Sequence, residues 1–314
     1  MKKFLLMFLA SFLVFPAIAA NVVKTTLPYV VRNQTDTLRL DRYELPDGPK
    51  DRPVVLFAFG GGFRGGVRDD ARYLPYFEFL AEHGYVVASI DYRTTLSSFD
   101  PASGATGFVS ALEGAVSAAV EDFLTATAYI AANAGEWGID PSRIVASGSS
   151  AGAITALQCE YLFSTGSQAV AMFPDGFNYA GTVTFAGAVC APEAPMWNRE
   201  RTCPMMLFHG DADSTVPFSS VTARGMGLYG SEVISDSLTA VRAPHELYVI
   251  CGSDHSVAIS PMEHNLYDIL AFLREFIDGR ADRITVTRQS VPGAPADYKT
   301  DFTLSDFLRS NMGE

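Results

Sequence analysis

The sequence predicts an α/β protein built as a three-layer sandwich, with a mostly parallel central sheet between two layers of helices. Short apolar runs ending in glycines or polar turns recur along the chain, as strands buried on both faces require. Helical stretches separate those runs, so successive strands need crossover connections, which cover the sheet on both sides. The 314 residues are 48% hydrophobic and 18% charged, enough for one sizeable core. No internal repeat or long charge run divides the chain, so a single domain is expected from residue 21 to residue 314.

Residues 1–20, "MKKFLLMFLASFLVFPAIAA", combine two lysines, a short apolar run and small residues at the end. This is the pattern of a cleaved secretory signal, so the protein is expected to be exported, to the periplasm or beyond the cell. The run is short for a spanning helix, and no cysteine marks a lipid attachment point; no stable membrane insertion is expected after cleavage. "TLRLDRYELP" alternates as a half-exposed strand, and "RPVVLFAFGGG" is a buried strand stopped by glycines. A helix follows at 71–83, a buried strand at "GYVVASIDY" and an alanine-rich helix at 112–133. "DPSRIVASG" leads into a helix ending near Phe163. Further strands fall at "TVTFAGAV", "CPMMLFHG" and "HELYVICG", and a last amphipathic helix at 262–278. The tail from about residue 281 contains a strand pattern, "RITVTR", and otherwise reads as peripheral. Two small and polar stretches, 96–111 and 164–182, are candidate pocket loops.

A net charge of −12 makes nucleic acid and anionic membrane poor partners. The four cysteines sit in a chain expected to leave the reducing cytosol, which permits disulfides. Cys190 and Cys203 flank a short proline-containing loop and are the expected pair; their spacing is not that of a zinc site.

Chemistry concentrates in "RIVASGSSAGAITAL", a strand that runs through a tight turn into a helix. Of the two adjacent serines only Ser150 has glycine on both sides at a distance of two, Gly148 and Gly152. Without Cβ atoms these let the backbone fold closely and project a hydroxyl. A serine hydroxyl needs a base, usually a histidine held by a carboxylate. Among five histidines, His255 follows the strand "LYVICG" in a loop that can reach the sheet edge, whereas His83, His209, His245 and His264 fit packing or surface roles. Asp211 and Asp213, after the strand "CPMMLFHG", both lie between Ser150 and His255 in the chain, and spacing leaves the choice between them open. Attack on a carbonyl also needs amide donors for the oxyanion. Ala151 at the helix start supplies one, and the glycines of "FAFGGGFRGG" can supply others. That loop lacks the lysine and the serine or threonine of a phosphate-cradling loop, and a dinucleotide site fits no better.

From about Leu38 to Phe276 the chain resembles the secreted esterase and lipase, carboxylesterase-like branch of the α/β-hydrolase fold. The resemblance rests on "VVLFAFGGGF", "GYVVASIDYR", "WGIDPSRIVASGSSAGA", "HGDADSTVP" and the region of His255. It implies Ser150 as nucleophile, His255 as base, Asp213 rather than Asp211 as the acid, and Gly61, Gly62 and Ala151 as oxyanion donors. Phe59 departs from the histidine that many members carry before the glycines, which puts the anchoring of that loop in question. The implied activity is hydrolysis of carboxylic esters through an acyl-serine, on short acyl or carbohydrate-linked esters, with no metal or organic cofactor. A serine peptidase of the prolyl-oligopeptidase class and a noncatalytic binding protein on the same scaffold are the alternatives. Phe99, Phe108, Met172 and Phe173 are candidates for a larger site, with packing as their plainer role.

Overall fold

The computed structural model describes residues 21–32, 36–290 and 297–312. The proposed leader lies outside them. The chain opens with an antiparallel pair, β1 (Val23–Val31) and β2 (Thr37–Glu44), and continues with β3 (Arg52–Ala58), α1 (Leu74–Glu82) and β4 (Val86–Ile90). Then come α2 (Gly104–Ala132), the single turn α3 (Ala134–Trp137), β5 (Ile139–Ser149), α4 (Ala151–Thr165), β6 (Gly181–Phe185), β7 (Ala188–Ala191) and β8 (Met205–Gly210). The last third holds β9 (Ser220–Ala223), β10 (Met226–Gly230), α5 (Ser231–Ala240), β11 (His245–Cys251), α6 (Pro261–His264), α7 (Leu266–Phe272), β12 (Ile284–Ser290) and α8 (Leu304–Met312).

Nine strands form the central sheet in the order β1-β2-β4-β3-β5-β6-β8-β11-β12. The first two are antiparallel to their neighbours, and from β4 to β12 every pairing is parallel. Every residue of β3, β4, β6 and β8 is buried, which explains their continuous apolar runs. Helix α1 packs with α6 and α7, and α2 packs with α4, giving the two helical layers. The alternation of β2 is read correctly from its sequence, because that strand keeps a partly exposed face near the edge of the sheet.

Several expectations need correction. "TVTFAGAV" is two strands: Ala186 takes a positive φ of 54°, and β7 leaves the main sheet to join a three-stranded sheet ordered β7-β10-β9. The expected disulfide between Cys190 and Cys203 is not formed, and all four cysteines are free. Cys203 is buried beside Thr182, while the Cys190 amide donates to Gln158. The stretch 96–111 is less of a loop than its composition suggests, since α2 already begins at Gly104. The tail beyond Arg280 is not peripheral throughout. Strand β12 extends the sheet against β11, and Phe307 of α8 is buried against Phe108 with ring centroids 6.2 Å apart.

Candidate active site

Parallel strands bring their C-terminal ends to one edge of the sheet, and the turns after β3, β5, β8 and β11 meet there. Strand β5 passes directly into α4 through Ser150, which is held at φ 52° and ψ −117°. That conformation is costly for a residue with a side chain, and close packing imposes it. A Cβ on Gly152 would lie 2.0 Å from the Ala58 carbonyl oxygen, and one on Gly148 would lie 2.3 Å from that of Gly152. The Ser150 amide donates to the Phe185 carbonyl at 2.8 Å, fixing the turn from the β6 side.

Ser150 Oγ lies 2.7 Å from His255 Nε2, and His255 Nδ1 lies 2.6 Å from Asp213 Oδ2. An ionised carboxylate only accepts, so Nδ1 carries the proton and Nε2 is left to accept from the serine. The other Asp213 oxygen accepts the amides of Thr215 and Val216 at 2.8 and 3.0 Å. Burial of Asp213 opposes its charge, but the rings of His209 and His255 outweigh it and hold the carboxyl well below the usual carboxylate range.

Asp211, which spacing could not separate from Asp213, points elsewhere. It accepts the Gly252 amide at 2.7 Å and the Tyr298 hydroxyl at 3.0 Å, tying the turn after β11 and the C-terminal segment to the turn after β8. Asp254 accepts the Ser256 amide at 3.0 Å, capping the short turn that carries His255. His209 is fully buried beside Asp213, with Nε2 donating to the Val216 carbonyl at 3.1 Å and Nδ1 facing the Ser231 hydroxyl at 2.8 Å.

The glycine loop after β3 packs against Ser150. A Cβ on Gly60 would stand 3.2 Å from Ser150 Cβ. The Gly60 amide is taken by the Tyr73 hydroxyl at 3.0 Å, whereas those of Gly61, Gly62 and Ala151 meet no acceptor among the described residues. The loop is anchored without a histidine at position 59. The Tyr92 hydroxyl donates to the Phe59 carbonyl at 2.7 Å, and the two rings stack with centroids 4.5 Å apart. Tyr73 and Tyr92 carried no signal in the sequence beyond aromatic character. Ser149 is structural: its hydroxyl donates to the Ala258 carbonyl at 2.8 Å, joining the end of β5 to the histidine loop.

Ser150 and His255 open into a cavity of about 380 Å³ lined by Gly61, Gly62, Phe108, Leu228, Ile259 and Phe307, among others. Of the four residues weighed for a larger site, Phe108 lines this cavity and Phe99 packs edge-on behind it. Phe173 stacks on Phe177, and Met172 is exposed beside a separate trough. A larger cleft of about 890 Å³ lies near Asp140, Arg143 and Phe276, and it shares no residue with the serine, histidine and aspartate. No group of three or more histidine, cysteine, aspartate or glutamate residues suited to a metal occurs among the described residues.

Comparison with known proteins agrees with this architecture. Residues 40–163, less than half of the chain, match the BD-FAE family. The fumonisin B1 esterase of Sphingopyxis macrogoltabida is 32% identical over 111 residues, a stretch covering 32% of this chain and 18% of that enzyme. Esterase 2 of the planctomycete Thermogutta terrifontis superposes with a TM-score of 0.58 at 23% identity, over 81% of this chain and 92% of that one. The same esterase phosphorylated by paraoxon gives 0.56 at 21% identity, over 81% and 94% of the two chains. With its mostly parallel sheet, flanking helices and strand-to-helix serine turn, the chain has the α/β-hydrolase fold.

Proposed function

We propose that this protein is a carboxylic-ester hydrolase that works through an acyl-serine, on short acyl or carbohydrate-linked esters. The observation that carries the reading is the unbroken relay from Ser150 through His255 to Asp213, opening beneath three unengaged amides. In this mechanism Ser150 Oγ attacks the ester carbonyl as His255 Nε2 takes its proton, and Asp213 holds the imidazolium that forms. The carbonyl oxygen becomes an oxyanion facing the amides of Gly61, Gly62 and Ala151; one such donor typically contributes about 3–4 kcal/mol to the transition state. His255 then protonates the departing alcohol. Water, activated by the same histidine, attacks the acyl-serine and releases the acid. These steps need neither metal nor organic cofactor.

The relatives named esterases support this reading, as does the acyl-sized cavity beside the serine. Ser150→Ala is expected to lower kcat/KM for a short acyl ester such as p-nitrophenyl acetate by at least about 10³-fold with the fold retained. A variant as active as the parent would remove the assignment. A screen of acetylated and feruloylated polysaccharides against simple aliphatic esters separates the two substrate classes. Export is part of the proposal and rests on the pattern of residues 1–20. N-terminal sequencing of the mature protein after cell fractionation tests it, and an intact Met1 in the cytoplasm would oppose it.

A further inference from the structure

Resting on the ester-hydrolase reading, we infer that Phe307 of α8 sets the length of acyl chain that the site accepts. His255 must pass its proton to the alcohol, so the alcohol lies on the side of His255, Ser256 and Ile259. The rest of the lining includes the apolar side chains Phe108, Leu112, Leu228 and Phe307, to which the acyl chain is assigned. Such side chains suit an alkyl chain.

Leu112, Leu228 and Phe307 also line a small, partly open pocket of about 30 Å³, whose lining includes Glu113, Cys190 and Met226. Those last three border an open trough of about 630 Å³ running along α2. The catalytic cavity and the trough thus share lining residues with one small pocket, a neck little larger than a water molecule or a methylene group. Phe307 is the bulkiest side chain at that neck.

The helix that carries Phe307 is tied to the turn that carries Asp213. Asn311 Nδ2 donates to the Thr215 carbonyl at 3.0 Å, and the hydroxyls of Thr215 and Ser310 lie 2.9 Å apart. The amide of the same Thr215 holds Asp213, so one residue fixes both the acid and that helix. Glu113 and Glu121 border the trough, which suits an uncharged chain and disfavours an anionic one.

The test is kcat/KM on p-nitrophenyl acetate, butyrate and octanoate for the parent, Phe307→Leu and Phe307→Ala. The parent is expected to discriminate against octanoate. Phe307→Ala is expected to raise the octanoate-to-butyrate ratio by about tenfold or more, since each newly buried methylene contributes roughly fourfold. Phe307→Leu should move the ratio the same way by less. Adding Met226→Trp to Phe307→Ala should refill the neck and return the ratio towards the parent's, which a general loosening of α8 would not do. A ratio within about twofold of the parent's in both single variants overturns the inference while leaving the ester-hydrolase reading intact. A parent that hydrolyses none of the three esters overturns both.

Discussion

Two aspartates two residues apart show what a single position decides. Asp213 faces the imidazole, and Asp211 braces the chain around it. Asp213→Asn is expected to lower kcat on short esters by about 10³–10⁴-fold, because the amide no longer favours the required tautomer of His255. Asp211→Asn should keep kcat within about tenfold of the parent, yet destabilise the fold by about 1 kcal/mol through weakened bonds to Gly252 and Tyr298. Steady-state kinetics and urea denaturation on both variants check this, and equal kinetic losses would contradict the division of roles. Because the folded Asp213 carboxyl is held low, its contribution to stability is complete above the ordinary carboxylate range and fades as the pH falls through its depressed value. Its identity was undecided by spacing because both side chains follow the same strand; only their direction in the turn separates them.

At the scale of elements, α4 carries Ser150 at its start and a buried acid further along. Glu160 is fully buried; one oxygen accepts the Cys203 amide at 2.9 Å and Asn178 at 3.3 Å, and the other has no hydrogen-bond partner among the described residues. Burial raises its carboxyl to about 7. A raised carboxyl favours folding in its protonated form, so its contribution is complete below the usual glutamate range and is lost as the pH rises to about 7. Glu160→Gln is therefore expected to stabilise the protein by about 1–3 kcal/mol at pH 8, with the gain vanishing near pH 4.5. Thermal melts across that range test it, and a gain independent of pH would refute the titration. Elements buried on both faces were legible as apolar runs, β3 and β8 among them. The break between β6 and β7 was not, because a positive φ at Ala186 is imposed by packing rather than by residue type.

On the scale of the whole molecule, distant segments complete the site. Strand β10 contributes Leu228, and α8 contributes Phe307 and Asn311. Ending the chain at Ser290 is expected to raise KM for short esters severalfold and to lower Tm by several degrees, because one cavity wall and the Tyr298 bond to Asp211 are removed together. Unchanged KM and Tm would show the tail to be peripheral after all.

The sequence alone determined the α/β layering, because strands buried on both faces must be apolar throughout and helices must separate them. It also singled out Ser150 from Ser149 by its flanking glycines, and the close approach of Ala58 to Gly152 and of Gly152 to Gly148 admits no side chain at either. Tertiary structure decided the rest. It showed which of two aspartates faces His255, a choice that spacing left open and the family resemblance implied, anchored Phe59 through Tyr92 and Gly60 through Tyr73, and brought α8 to the cavity. Each of these depends on where side chains point once segments far apart in the chain have packed together, and no local pattern of residues encodes that direction.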